Sequence, residues 1–264
     1  MSQPFATRIA AVLAIVLMMP ALAAAADIKV LSTIAFQRVF DEQLAAFNRS
    51  SGHVARAEFG GTTALANRVR DSEAADLYFG TRPAIDALLA AGKVRPESVV
   101  DLARSPVGFA VKKGAPRPDV STADAIRRTV LAAKGITYPD PASGSVSALH
   151  LVRMAERLGI AAELQARTRR PPGGAAAGPT LLSSGEVDLA FQQNCELLLA
   201  PGVELLGPLP AEFQLVTVMS AAVPVTTREP QAAMALIRHL QTPAAVASMS
   251  RWGLEPLASG AATK

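Results

Sequence analysis

Three short turns concentrate the hydrogen-bonding side chains of this 264-residue chain: Ser32-Thr33, Thr62-Thr63 behind Gly60-Gly61, and Ser143-Gly144-Ser145. Each follows a strand-like apolar run and precedes an amphipathic helix. Free N–H groups and a partial positive charge at helix N-termini, together with hydroxyl donors, hold an anion without any cation. Glycine lets a ligand approach the backbone closely. A Ser or Thr at any one such turn is also an ordinary helix cap. Three turns in one kind of position favour ligand binding.

Other chemistry is thinly represented. G-x-G-x-x-G, the phosphate-binding P-loop, H-E-x-x-H, C-x-x-C and G-x-S-x-G are all missing. His53, His150 and His239 have no ligand-like spacing, so no metal and no cofactor is expected. Cys195 adjoins the apolar run Leu197–Leu199 and is expected to be a buried structural thiol with no disulfide.

The elements that must position these turns repeat one unit. Ile28–Leu31 is followed by Phe36, Val39, Phe40, Leu44 and Phe47 at helical spacing. Ala57–Phe59 leads into Leu65 and Val69, and Asp76–Phe79 leads through Arg82 to a helix opened by Pro83 and stopped near Gly92. Such units build a largely parallel sheet, whose strand-to-helix turns gather along one edge. Further strands are expected at Val107–Val111, Ile136–Tyr138, Val187–Phe191 and Phe213–Val218. Helices are expected after Ser121-Thr122, around Leu151–Leu158, and at Pro230–Leu240 and Pro243–Trp252. Residues 169–178 are expected to loop and 259–264 to fray.

Arg8, the apolar run Ile9–Met19, Pro20 and the small residues through Ala26 have the pattern of a secretory leader cut before Asp27. The run is well short of the roughly 20 residues that span a bilayer, so no stable membrane insertion is expected after cleavage. The formal charge of the whole chain is +4, carried on dispersed residues, and aromatics make up 5%. That excludes the basic, aromatic-studded face of a nucleic-acid binder but suits a small anion.

Taken in order, Leu31-Ser32-Thr33, Phe59–Ala66, Ala75–Phe79 and Asp140–Gly144 resemble the type II periplasmic solute-binding proteins, in the branch with molybdate-binding proteins. Val100–Ser105 with Gly114–Asp119, Gly185–Gln193 and Leu206–Glu212 are more similar to a side branch that includes aconitate isomerase. The resemblance implies an α/β fold of two lobes, each a mainly parallel sheet flanked by helices, joined by hinge strands around a ligand cleft. The lobes are expected at residues 27–106 with 214–264, and at 107–213. Gly60-Gly61 stands where molybdate binders carry consecutive serines, and Gln192-Gln193 where they present a tyrosine. These changes widen the cleft and suit a carboxylate at least as well as a tetrahedral oxyanion.

The expected function is therefore periplasmic capture of a small anion, an oxyanion such as molybdate or a small polycarboxylate, by a monomer feeding an ABC-type permease. Its expected ligands are Ser32, Thr33, Gly61, Thr62 and Thr63 from one lobe, and Ser143, Gly144, Ser145, Gln192 and Gln193 from the other. Arg82 and Arg104 are secondary candidates for a bidentate carboxylate contact. The alternative is an isomerase that moves a double bond in aconitate, with Tyr138, Asp140 and Glu196 as possible acid or base.

Overall fold

Residues 25–143, 145–171 and 178–257 are described by a computed structural model. Residues 1–24 of the expected leader, Gly144, the centre of the 169–178 loop and the expected frayed tail lie outside them. β1 (Asp27–Thr33) runs parallel to both β2 (Val54–Gly60) and β3 (Leu77–Thr81). The helices α1 (Gln37–Ser51), α2 (Thr62–Arg70) and α3 (Arg82–Ala90) return the chain between strands. α1 stops at Gly52, whose φ of 74° is the left-handed conformation that glycine adopts without strain.

β4 (Val100–Lys112) is much longer than the expected Val107–Val111, because it serves two cores in succession. Its first half pairs antiparallel with β8 (Val216–Ala222); from Val107 it pairs antiparallel with β6 (Leu189–Gln193). The short β5 (Ile136–Thr137) lies parallel to β6, while β7 (Val203–Leu205) and β9 (Glu255–Pro256) add to β4 at either end. Parallel pairing thus occupies the two wings, and the antiparallel β4 and β8 link them. The strand expected at Phe213–Val218 begins only at Val216, since Phe213 is drawn into the second core.

Helices cover both wings: α4 (Ala123–Ala132), α5 (Val146–Arg157), α6 (Ala161–Arg167), α7 (Gly178–Ser184), the single turn α8 (Asn194–Leu197), α9 (Pro230–His239) and α10 (Pro243–Arg251). Thr122 and Thr242 cap α4 and α10 by accepting the backbone N–H three residues on. One core joins Phe36, Phe40, Phe79 and Met219 to Leu236 and Ile237; another joins Phe109, Ile126, Leu151 and Met154 to Phe191 and Phe213. Smaller clusters back each of these cores, around Leu31, Tyr78 and Ile85 on the first wing and around Ala110, Leu182 and Ala190 on the second, and this division of the apolar interior between the wings makes a two-lobed α/β molecule.

The chain crosses between lobes at two adjacent places. Pro106 lies opposite Val216, and the Val107 N–H donates to the Leu215 carbonyl at 3.0 Å. The Gln214 amide donates to the Val107 and Leu215 carbonyls at 3.0 and 3.1 Å. Cys195, far from the first lobe in sequence, packs into the first core, so α8 reaches across the crossing.

Candidate functional site

Strand register gathers the first group of candidates. Thr33 lies opposite Gly60 and Ser32 opposite both Phe59 and Phe79, so the turns after β1, β2 and β3 share one sheet edge. Ser32 and Thr33 form its buried floor; the Ser32 hydroxyl donates to the Thr33 carbonyl at 3.0 Å. Gly61 is exposed, with extended backbone and open space where a side chain would stand. No side chain caps the helix that starts beside it, so the first-turn N–H groups of α2 have no side-chain acceptor there, and the half-buried Thr62 and exposed Thr63 stand next to them.

At Ser145 the ordinary capping role holds: its Oγ accepts the Ala148 N–H at 3.4 Å and bonds Ser147 Oγ at 3.1 Å. The Ser143 hydroxyl donates to the Asp140 carbonyl at 2.6 Å. The second lobe therefore offers less at this turn than the first does at Gly61–Thr63.

Gln192 and Gln193 end β6, opposite Gly108 and Val107 and next to the crossing. Both amides donate to one carboxylate, that of Glu196: Gln192 Nε2 bonds one oxygen and Gln193 Nε2 the other, the latter at 3.1 Å. Glu196 is 8% exposed, and burial raises its pKa to about 7, with the Gln192 hydrogen bond opposing that rise. Burial, with the neighbouring Glu196 charge, likewise pushes the Cys195 thiol up to about 12, so it stays neutral at physiological pH; its sulfur sits 3.2 Å from Ser105 Oγ. α8 also packs against the turn Ile34–Phe36 that follows Thr33, which brings the glutamine–glutamate group beside the floor of the first lobe. Gly108 makes room for this, since a Cβ there would stand 2.6 Å from Asn194 Oδ1.

Arg82 starts α3 on this same edge, whereas the other candidates are engaged elsewhere. Arg82 is committed to carboxylates, with Nε on Asp86 at 2.7 Å and Nη1 on Asp101 at 3.0 Å. Arg104 is exposed between the buried Ala103 and Ser105 and so points to the opposite face of β4. Tyr138 is buried with its hydroxyl on Thr168 and Arg170, and His150 bonds the Phe213 carbonyl at 2.7 Å. Glu196, considered in sequence only as one of three possible acids or bases, is thus the titratable group best integrated into the site.

The sequence matches the family model described as bacterial extracellular solute-binding protein over residues 28–255. The chain belongs to that family. A relative from Pseudomonas sp., named aconitate isomerase, is 34% identical over 195 residues, which are 74% of this chain and 72% of the relative. Among solved structures, the periplasmic molybdate-binding protein of Azotobacter vinelandii superposes with a TM-score of 0.68 at 18% identity, covering 86% of this chain and 98% of that one. A sulfate-binding protein of Mycobacterium tuberculosis gives 0.66 at 18% identity, covering 88% and 87%. At such low identity these two structures establish the shared solute-binding fold.

Proposed function

We propose that this protein captures a small organic carboxylate between its lobes in the periplasm and passes it to an ABC-type permease. The observation that carries the reading is the uncapped first turn of α2 at Gly61–Thr63, open beside the buried Ser32-Thr33 floor. It supplies backbone and hydroxyl donors to an anion with no competing side chain. The bodies that close are residues 27–106 with 214–264, and 107–213; the split of the apolar cores and the paired crossings at Val107 and Leu215 support a hinge there. The apolar run Ile9–Met19 and the small residues through Ala26 support removal of residues 1–26 as an export leader. Among the described residues no helix is long and apolar enough to cross a membrane.

Gly61→Asp separates binding from folding. The position has room and suitable backbone, and aspartate is a good N-cap, so stability is unchanged or rises by a few tenths of a kcal/mol. The new carboxylate occupies the anion's place, so affinity for trans-aconitate falls by about tenfold or more, at about 1.4 kcal/mol per decade. Calorimetric titration beside thermal melting checks this; unchanged affinity removes α2 from the site.

A second reading, isomerisation of aconitate, is favoured by the buried Glu196 carboxyl and by the named activity of the Pseudomonas relative. A carboxyl that titrates near neutrality can take a proton from the methylene next to one carboxylate and return one to the far carbon of the shifted double bond. Proton NMR of trans-aconitate with a trace of protein discriminates the readings. Appearance of the cis isomer establishes catalysis; line-broadening that molybdate does not reverse, without turnover, leaves carboxylate capture; no effect points to an inorganic oxyanion.

A further inference from the structure

A cavity of about 430 Å³ opens at the other edge of the first sheet, between α9, the turn Pro96–Ser98 and the end of β8. Its separation from the cleft follows from register: β8 runs antiparallel to β3, with Thr81 opposite Met219 and Tyr78 opposite Ala222, so Val223 lies towards the start of β3. The size is that of a small-molecule site.

Its walls combine an apolar surface with two cations. Val223, Pro230 and Met234 form the apolar part, and Arg95 and Arg238 enter from opposite elements. Arg95 is rigidly placed: its N–H donates to the Val223 carbonyl at 2.9 Å, and the Ser98 hydroxyl donates to the Arg95 carbonyl at 2.6 Å while accepting the Val223 N–H. Elsewhere Arg68, Arg82, Arg117, Arg157 and Arg251 each hold a carboxylate. Among the described residues neither Arg95 nor Arg238 forms an ion pair, although Glu97 shares the rim. Arg238 in the last turn of α9 is favoured by the helix dipole, but that does not account for Arg95.

We infer that this cavity is a second ligand site, distinct from the interlobe cleft, for a small organic carboxylate whose charged end meets Arg95 and Arg238 and whose hydrocarbon lies on Val223 and Met234. Two guanidinium groups set against one acid exclude a cationic ligand, and the apolar wall favours a carbon skeleton over a bare oxyanion.

The test uses mature protein labelled with 13C in its methionine methyl groups, the Met234 resonance being assigned by its loss in Met234→Leu. Succinate is the probe, with inorganic phosphate in a parallel series. The Met234 signal is expected to shift saturably with succinate in the wild type and in Gly61→Asp alike, which separates this site from the cleft. In Arg95→Met/Arg238→Met the affinity read from that signal is expected to fall by about tenfold or more. An unmoved Met234 signal, or an identical shift in the double variant, overturns the site. Loss of the shift in Gly61→Asp shows it to be a remote effect of the cleft and overturns it too. Equal affinity for phosphate overturns the assignment to organic carboxylates.

Discussion

Replacing Phe36 by alanine is expected to destabilise the protein by about 3–5 kcal/mol and to weaken ligand binding as well. The ring is fully buried, 3.9 Å from the Phe79 ring and 5.8 Å from that of Phe40 between centroids. It closes the turn that follows Thr33, and that turn also bears on α8. Phe36→Ala therefore leaves a cavity under the cleft floor and frees the contact that holds the Glu196 group beside it. Phe47→Ala is the control: this ring is also in the first core, but it sits at the far end of α1 against His53 and His239. Both variants should lower the urea midpoint by a similar amount, and only Phe36→Ala should lower affinity for the carboxylate. Equal losses of affinity would mean that the floor is sensitive to global stability rather than to this turn.

The sequence made the first lobe largely legible because each of its units obeys a local rule. Phe36, Val39, Phe40 and Phe47 repeat at helical spacing, and Pro83 at the start of α3 and Gly92 just past its end stand where a helix begins and stops. The long strand β4 was not legible in the same way. Asp101, Arg104, Ser105 and Pro106 interrupt its apolar run because that stretch passes between two cores rather than through one. α8 is a single turn, too short for any periodicity, and its attachment to the first lobe through Cys195 is a tertiary fact. The same limit governed the site. Turn composition pointed to Ser32, Thr33 and Gly61–Thr63, which strand register sets along one sheet edge, whereas the resemblance pointed to Gln192 and Gln193, whose amides the fold sets on Glu196. The available signal was an acid inside the apolar run from Cys195 to Leu199, with two amides three and four residues before it.

Glu196→Gln is expected to make the protein more stable at alkaline pH, against the usual trend for changes at a buried polar cluster. Burial raises the carboxyl from its ordinary 4.5 to about 7. Below pH 4.5 the group is protonated in both folded and unfolded chains and exerts no differential effect. As pH rises from 4.5 to 7 the unfolded chain ionises first, and the native state loses stability, by about 3 kcal/mol at 1.36 kcal/mol per pH unit. Above 7 the loss is constant. Glutamine has no proton to release and keeps the shape. Gln192 can still donate to its carbonyl, and the Gln193 amide can turn so that its oxygen, buried without a partner in the native protein, accepts from the new amide. The melting temperatures should coincide at pH 4 and separate by about 5–10 °C at pH 8, with the variant higher. A gap independent of pH would assign the effect to packing instead of ionisation. The same variant bears on function: a carboxylate ligand is repelled by ionised Glu196 and not by the amide, so capture survives and its affinity no longer weakens above pH 7. Isomerisation, which needs a group that both takes and returns a proton, should be lost by at least about a hundredfold. Retention of binding with loss of turnover would identify Glu196 as the proton-transferring group, whereas retention of both would leave it a structural acid beneath the cleft.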